Sequence, residues 1–382
     1  AGVRLDSYDS SDAPSYNPAF EQRYGFTNTA SFDGLDIVQP RIGLTWDMPA
    51  SKWGQTQLTA GFGVFGGQDP TVHFANSFQN FGGALGDANV FDCADVGAAL
   101  QVINNGVFTG IPDCVWQAAA DAANANAGSV AATDPNFDLP EDHRFHIGIS
   151  HFMESDIEFL NDWHIRAEYI YTKHKNAPNW LDLTQAFSGV ILPDGRPQQM
   201  GIDPLLPGCD ATLSGLGPGG WSGSEIFPGG ACDDESNENQ DVLMTNGPEG
   251  DTSVFSLILG KDFVFSDKTS FDMSFGWAYT DSKHGNPVNS STATSSYEEV
   301  AVAIPGQVTL APNLWVNEHN ITIRGRLQHY FLDNHPTTFS FFFNRRSGRP
   351  FSYAYEDDTG EEYWGDSDDE SRILVYVPTG PT

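Results

Sequence analysis

The feature that most constrains this chain is an alternation of apolar and polar side chains, repeated in segments of about ten residues. In residues 271–280, large apolar side chains alternate with small or polar ones: Phe271, Met273, Phe275, Trp277 and Tyr279 against Asp272, Ser274, Gly276, Ala278 and Thr280. An extended backbone points successive side chains to opposite faces, whereas a helix would scatter both sets around its circumference. The segment is therefore predicted to be a strand with one apolar and one polar face.

Eight segments carry this pattern, and the links between them are alternately short and long. The predicted strands are 38–48, 55–66, 143–153, 162–173, 251–265, 269–282, 315–330 and 337–347. The predicted long loops are 67–142, 174–250, 283–314 and 354–372. Antiparallel outer-membrane barrels alternate short periplasmic turns with long extracellular loops. We therefore predict an all-β fold for 1–382, a single antiparallel transmembrane β-barrel region with extracellular loops.

The composition supports a membrane barrel over a soluble domain. Only 18% of residues are charged, against 13% aromatic residues, whereas soluble domains carry about 25% charged residues. The alternative, a soluble β-sandwich, is disfavoured because the face opposite the aromatics is polar on nearly every strand. No run of 18 apolar residues occurs, which excludes a membrane-spanning helix. The net charge of −33 excludes a nucleic-acid partner.

The four cysteines fall as two local pairs in the two longest predicted loops, Cys93 with Cys114 and Cys209 with Cys232. Their spacing fits no zinc finger, and no C-x-x-C motif occurs. Local pairs in loops rich in Gly, Asp and Asn are typical of loop-closing disulfides formed in an oxidising compartment. We predict two disulfides, and free buried thiols are the alternative.

An acidic run from Glu356 to Glu370 is the strongest candidate for a ligand site. Its aspartates supply hard oxygen ligands suited to Ca²⁺: Asp357, Asp358, Asp366, Asp368 and Asp369. The run lacks the regular twelve-residue calcium-loop pattern, so a solvated acidic loop is the competing interpretation. No other cofactor is predicted.

Enzymatic chemistry finds little support in the sequence. Residues Gly220–Gly223 fail the spacing of a nucleophile elbow. His143 and His146 fall on opposite faces of one strand and cannot share a metal. No Ser/His/Asp set can be placed, so we predict that the chain is not an enzyme.

Charged residues on the polar strand faces are predicted to line the lumen: Arg41, Arg166, Glu168, Arg324 and Arg326. There they could contact a plug or a passing solute. Structural pairing with one another is the competing interpretation.

Several motifs together resemble Oar-like TonB-dependent outer-membrane receptors. They are Tyr24–Thr29, Asp33–Asp47, Leu58–Pro70, Leu139–Arg144, Arg346–Tyr353, Trp364–Asp369 and Val375–Pro378. The resemblance implies a 22-stranded barrel, an N-terminal plug and a TonB-contacting box. Neither plug nor box is recognisable here, nor is a C-terminal strand ending in an aromatic residue. The chain is therefore expected to be about eight strands of a larger barrel.

The function expected from this resemblance is transport of a large or scarce solute, or export of a protein, across the bacterial outer membrane. Expected partners are outer-membrane lipid and lipopolysaccharide, the TonB system through the missing N-terminal part, and other surface proteins. The alternative is a surface structural or adhesion protein whose acidic, disulfide-closed loops bind partners or calcium.

Overall fold

The computed structural model describes residues 1–67, 69–82, 93–99, 103–104, 107–108, 110–118, 128–234, 240–288, 290–304, 306–307, 309–354 and 375–376. The strands are β1 (Gly2–Ser7), β2 (Asp36–Asp47), β3 (Gly54–Gly66), β4 (Ile103–Asn104), β5 (Val107–Phe108), β6 (Ala131–Thr133), β7 (Glu141–Met153), β8 (Trp163–Lys175), β9 (Pro178–Asp182), β10 (Gln185–Ile191), β11 (Pro197–Gly201), β12 (Thr212–Leu213), β13 (Trp221–Ser222), β14 (Val242–Asn246), β15 (Asp251–Ser266), β16 (Thr269–His284), β17 (Ala311–Pro312), β18 (His319–Leu332) and β19 (His335–Arg346). The helices are α1 (Pro18–Tyr24), α2 (Thr71–Gln79), α3 (Val96–Ala99) and α4 (Ala293–Glu298). None of the helices in these ranges is long and apolar enough to cross a membrane.

One large antiparallel sheet, the main sheet, dominates the molecule. Its strand order is β1-β2-β3-β7-β8-β15-β16-β18-β19, with β17 added beside β16. Because β1 and β19 stand at opposite ends of this order, the main sheet is open rather than closed into a barrel. The prediction of an all-β antiparallel fold is confirmed.

The sequence-based strand count needs a correction at the N-terminus. The eight predicted strands correspond to β2, β3, β7, β8, β15, β16, β18 and β19, but β1 pairs with β2 as a further member. Six residues give too short an alternation to stand out in the sequence. The strand predicted to begin at 315 begins at His319, because Trp315 and Val316 donate backbone hydrogen bonds to Asn313 in a turn.

The register gives the main sheet an apolar face and a polar face. Trp277 pairs with Leu257 on one side and Ile321 on the other, and this row belongs to the apolar face. The adjacent row, Gly276 with Ile258 and Thr322, belongs to the polar face. Many apolar-face side chains are exposed, with Leu44 at 65% and Phe339 at 62%. The period-2 pattern of the sequence thus becomes one continuous apolar surface.

The short links lie at one end of the strands of the main sheet, and a lysine stabilises one of these links. Lys261 occupies the apolar-face row of Phe263, yet it is only 5% exposed. Its Nζ donates hydrogen bonds to the backbone oxygens of Glu158 (3.0 Å) and Phe159 (2.7 Å) in the turn between β7 and β8. The rings of Phe159, Trp163 and Phe263 surround it at 5.0–5.7 Å. Aromatic faces and carbonyl oxygens both stabilise a cation removed from water.

At the other end of the strands, the long links fold into a compact unit, which we call the loop domain. Its centre is a three-stranded sheet of order β6-β14-β9, with β14 parallel to β6 and antiparallel to β9. Leu243 of β14 packs into one core, whereas Val242 and Met244 pack into another. Successive side chains on a strand point to opposite faces, so this small sheet is buried on both sides.

The two cores draw on helices and strands that are distant in sequence. The first core comprises Phe20, Tyr24, Val130, Ala132, Leu183, Ala186, Ile202, Trp221, Cys232 and Leu243. The second comprises Phe74, Ala131, Phe137, Trp180, Val242, Met244, Ala293 and Tyr297. Helix α1 therefore packs on one side of the small sheet, while α2 and α4 pack on the other. Segments predicted only as loops thus carry a substantial hydrophobic core.

Candidate functional site

The five charged residues predicted to line a lumen all lie on the polar face of the main sheet. Their register partners include Gly63 for Arg41, Ser150 for Arg166, Gly148 for Glu168, Ser274 for Arg324 and Asp272 for Arg326. The structure places them on one face without bringing them all together, because β15 and β16 separate β8 from β18. Exposure to a lumen stays a prediction, since the main sheet is open.

Two of the five form a small charge cluster on β8. His146 Nε2 lies 2.8 Å from Glu168 Oε1, and Arg166 Nη2 lies 3.6 Å from Glu168 Oε2. The Arg166 side chain is 59% exposed, so this ion pair is screened by water. On β18, Arg326 Nη2 donates to Gln328 Oε1 at 3.3 Å. These contacts leave the polar face charged and hydrated.

A hydrogen-bonded ladder that sequence reasoning missed crosses four strands of the polar face. Asp142 Oδ1 lies 2.6 Å from His174 Nδ1, and His174 Nε2 lies 2.9 Å from Thr252 Oγ1. Thr252 Oγ1 is in turn 2.7 Å from Ser282 Oγ. Each residue stands near the loop-domain end of a different strand, so only the correct pairing of β7, β8, β15 and β16 could have revealed the ladder.

The order acid, imidazole, hydroxyl in this ladder resembles that of a nucleophilic triad. A triad also needs free backbone N–H donors for the developing oxyanion. Thr252 pairs with Thr172 on one side and Ser282 on the other, so its backbone groups belong to the sheet. Ser282 is only 7% exposed. The ladder therefore joins four neighbouring strands of the main sheet by side-chain hydrogen bonds.

Both predicted disulfides are present, each within one long link: Cys93 with Cys114 and Cys209 with Cys232. Cys232 is fully buried in the first core. Inside the second disulfide loop, Asp210 accepts hydrogen bonds from Ser224 N (2.9 Å), Ser224 Oγ (2.7 Å) and Glu225 N (3.0 Å). These donors, led by the Ser224 backbone, lower the pKa of Asp210. A segment rich in Gly and Pro thus forms an ordered loop that is closed by a disulfide.

The loop domain also contains a buried acid at the junction of three links. Asp241 is 2% exposed and accepts hydrogen bonds from the Tyr24 hydroxyl (2.7 Å) and Val130 N (2.9 Å). Arg23 Nη1 lies 3.9 Å away, while Arg23 Nε is 3.2 Å from Asp203. Burial raises the pKa of Asp241 to about 6, against the smaller opposing effects of Tyr24 and Arg23. Burial and the nearby Asp241 charge raise the pKa of Tyr24.

The candidate calcium ligands Asp357, Asp358, Asp366, Asp368 and Asp369 lie outside the described residues. Within the described part of the chain, no group of three or more His, Cys, Asp or Glu residues is arranged to hold a metal ion. Calcium binding by the acidic run therefore stays a prediction.

Comparison with known proteins finds similar structures but no similar sequence. The chain matches no protein-family model and no curated protein sequence. It is similar to the outer membrane transporter YddB from Escherichia coli, with 11% identity over 89% of this chain and 32% of that one, at a TM-score of 0.45. It is also similar to a mutant of the ferric enterobactin receptor PfeA from Pseudomonas aeruginosa, with 10% identity over 92% of this chain and 36% of that one, at a TM-score of 0.36. The chain spans about a third of the length of each.

Proposed function

We propose that this chain forms part of the wall and the extracellular loop domain of an outer-membrane β-barrel transporter. The observation that carries the proposal is the continuous apolar face of the main sheet, backed by a polar, charged face. The transported species would be a large or scarce solute, or an exported protein. Its passage would depend on binding and gating without covalent chemistry, energised by a TonB system.

Strand length and exposure both support a membrane setting for the main sheet. Its eight long strands contain 12–16 residues, whereas about 9–11 tilted residues cross a bilayer. Ile42 at 63%, Leu44 at 65% and Phe341 at 53% exposure stand on the apolar face. Soluble monomers rarely expose contiguous apolar patches above a few hundred Å². Lipid contact removes this cost because hydrocarbon does not penalise apolar side chains.

The polar face and the loop domain suit the other requirements of a transporter. Arg166, Glu168 and His146 present a charged, hydrated surface to which a solute can bind. The loop domain lies at the same end of the strands as the Asp142–Ser282 ladder. It can therefore form the outer entrance to a pore along the polar face.

Quenching by brominated lipids tests which face meets the membrane. Trp277 stands on the apolar face, whereas Trp180 is 2% exposed in the second core. The protein is reconstituted in vesicles of brominated phosphatidylcholine, and Trp277→Phe is compared with Trp180→Phe. Among the described residues, Trp180 Nε1 has no hydrogen-bond partner, so replacement by Phe removes no polar contact with that part of the chain. We expect Trp277→Phe alone to lose quenchable emission, and equal losses in both variants would contradict the proposed membrane contact.

Transport itself requires a cellular assay. Deletion of the gene should reduce uptake or export of the cognate solute, and a protonophore should have the same effect if the process is energised from the inner membrane. Transport that persists at the wild-type rate in both experiments would remove the transporter assignment while leaving the membrane placement intact.

A surface-interaction role is the second candidate, and one observation favours it. The loop domain has two hydrophobic cores and the buried disulfide partner Cys232, a degree of order that a recognition module requires. This role would anchor other surface proteins or mediate adhesion. Loss of surface association with unchanged solute transport in a deletion strain would favour it over transport.

A further inference from the structure

A polar cavity of about 290 Å³ lies on the polar face of the main sheet, near the loop domain. Its floor is formed by β1, β2 and the end of β3, and Pro70, Leu139 and Pro140 of the long links form its upper rim. Arg4, Asp6, Gln39, Arg41 and Phe65 stand on the floor, with Tyr8 and Asp69 at the side. Ligand pockets begin at about 300 Å³, so the cavity suits a group the size of a monosaccharide or an amino acid.

The two carboxylates of the cavity are already supplied with donors. Asp6 accepts from Arg4 Nε at 2.6 Å and from Gln39 Nε2 at 2.5 Å. Asp69 accepts from the Thr71 backbone at 3.0 Å and from the Tyr8 hydroxyl. A ligand that offers further donors would therefore find these oxygens occupied.

The guanidinium groups, in contrast, retain unused donors. Arg41 donates through Nη2 to Gln39 Oε1 (2.8 Å) and more weakly through Nε to a backbone oxygen. Among the described residues, no side-chain hydrogen bond involves Arg41 Nη1 or the two Nη atoms of Arg4. Within the described part of the chain, Arg144 donates one side-chain hydrogen bond, from Nε to Thr172 Oγ1 at 3.2 Å.

Two of these arginines lie close to the ring of Phe65. The Arg41 guanidinium lies 4.3 Å from the centre of its ring, and that of Arg144 lies 5.5 Å from it. Arg144 and Arg41 also line an adjoining depression of about 400 Å³ on the same sheet. Stacking on an aromatic ring fixes the guanidinium plane and leaves its edge available for a planar anion.

The local charge at this cavity is balanced, unlike that of the whole chain. Arg4 and Arg41 line it together with Asp6 and Asp69, and Arg144 stands in the adjoining depression, whereas the net charge of the chain is −33. The aspartates oppose an incoming anion, but both already accept hydrogen bonds, and the guanidinium groups hold the donors that remain for a ligand. A site with two arginines in such an acidic chain favours an anionic group that is bound by direct contact.

We propose that this cavity binds the carboxylate of a small polar solute, with Arg4 and Arg41 as the primary donors and Arg144 as the neighbouring cation. The carboxylate could belong to an acidic sugar or to a peptide C-terminus, which offer the same planar anion. A guanidinium presents paired N–H donors that match the two carboxylate oxygens. This inference rests on the proposed transport function, for which it names the class of solute.

Saturation-transfer-difference NMR on the full chain in detergent micelles tests the proposal with glucuronate, N-acetylalanine and inorganic phosphate as probes. Each carboxylate probe should bind saturably, and the tighter of the two identifies the source of the carboxylate. Arg4→Gln and Arg41→Gln should each weaken carboxylate binding about tenfold, the effect of losing a charge-assisted hydrogen bond. Arg41→Lys should lie between, because the charge remains but the fork is lost.

Arg349→Gln is the matched control, since Arg349 follows β19, which stands at the opposite end of the sheet order from β1. It should bind the carboxylates as the wild type does. Absence of saturable binding, an equal loss in the control, or tighter binding of phosphate than of either carboxylate would overturn the proposal. Brominated-lipid quenching of the same protein reconstituted in vesicles separates the two failures, because intact quenching would preserve the membrane placement after carboxylate binding had been refuted.

Discussion

Replacing the buried Asp241 by Asn should change how the stability of the loop domain depends on pH. The pKa of Asp241 is raised to about 6 from an ordinary value of 3.8. Below pH 3.8 the carboxyl is protonated in both the folded and the unfolded chain. As pH rises towards 6, the unfolded chain loses its proton first, so the free energy of unfolding falls. At 1.36 kcal/mol per pH unit, the loss above pH 6 is about 3 kcal/mol.

Asn resembles the protonated acid but cannot ionise, so it should remove this pH dependence. Its oxygen can still accept from Val130 N, and its amide can donate to the Tyr24 hydroxyl. We therefore expect Asp241→Asn to stabilise the loop domain at pH 8 by up to about 3 kcal/mol and to have little effect near pH 4. Part of this gain is offset because Arg23, 3.9 Å away, loses a partner.

Hydrogen exchange measured by mass spectrometry can follow β9 and β14, whose backbone bonds hold the small sheet together. Exchange rates at pH 5 and pH 8, corrected for intrinsic chemistry, give local opening free energies. Asp203→Asn is the control, because Asp203 contacts the same Arg23 from a more exposed position. The difference between wild type and each variant also removes the general effect of the −33 net charge. An unchanged pH slope in Asp241→Asn would refute the reasoning.

Three further substitutions test other parts of the fold. A Cβ on Gly325 would lie 2.1 Å from the Phe341 ring, so Gly325→Ala should lower the free energy of unfolding by about 1–3 kcal/mol, and Phe341→Ala in the same chain should restore part of it in denaturant titrations. Lys261→Met should release the turn between β7 and β8, costing about 1–3 kcal/mol for two charged hydrogen bonds, which hydrogen exchange of that turn would detect. Replacing Cys209 and Cys232 together by Ser should destabilise the loop domain by about 3 kcal/mol, the value expected for a disulfide that closes a loop of this length. Faster proteolysis between the two positions would reveal the destabilisation.

The main sheet could be predicted because its information is local. In β16, five apolar residues alternate with small or polar ones over 271–280, which fixes both the strand and its two faces. The alternation of short and long links then predicts that the turns and the long loops lie at opposite ends of the strands. Two short strands of the main sheet were missed. Strand β1 has only six residues, and its pairing with β2 depends on a link that spans 8–35, while β17 has two residues.

The loop domain could not be predicted because its information is not local. Strands β9 and β14 have five residues each and are buried on both faces, so they show no alternation. Their pairing joins residues about sixty positions apart, and β6 comes from another link altogether. Chemical pairing was more accessible than packing, since the two local cysteine pairs were evident from spacing and context. Only part of the proposed carboxylate cavity could be predicted. Arg41 was identified on a polar strand face, whereas Arg4 lies in β1, which was not predicted.

The junction between the loop domain and the main sheet is formed by two paired strands that continue from one part into the other. Strand β9 begins three residues after the end of β8, and β14 ends five residues before β15, so the β9–β14 pair continues the β8–β15 pair. Asn246 stabilises the short gap between the two strand pairs, because its Nδ2 donates hydrogen bonds to the backbone oxygens of Asp138 and Asn176, both at 2.9 Å.

Because two paired strands run through this gap, a hinge there would have to disrupt several hydrogen bonds at once. In the proposed transporter, the loop domain would therefore move together with the main sheet, and gating would come from segments that do not share this pairing. The carboxylate cavity fits such a division, since Pro70 and Leu139 of the long links meet Arg4 and Arg41 of the wall around it. In the proposed transporter, a solute bound between two parts that do not separate would be held at the entrance, and movement of another segment would be needed to release it.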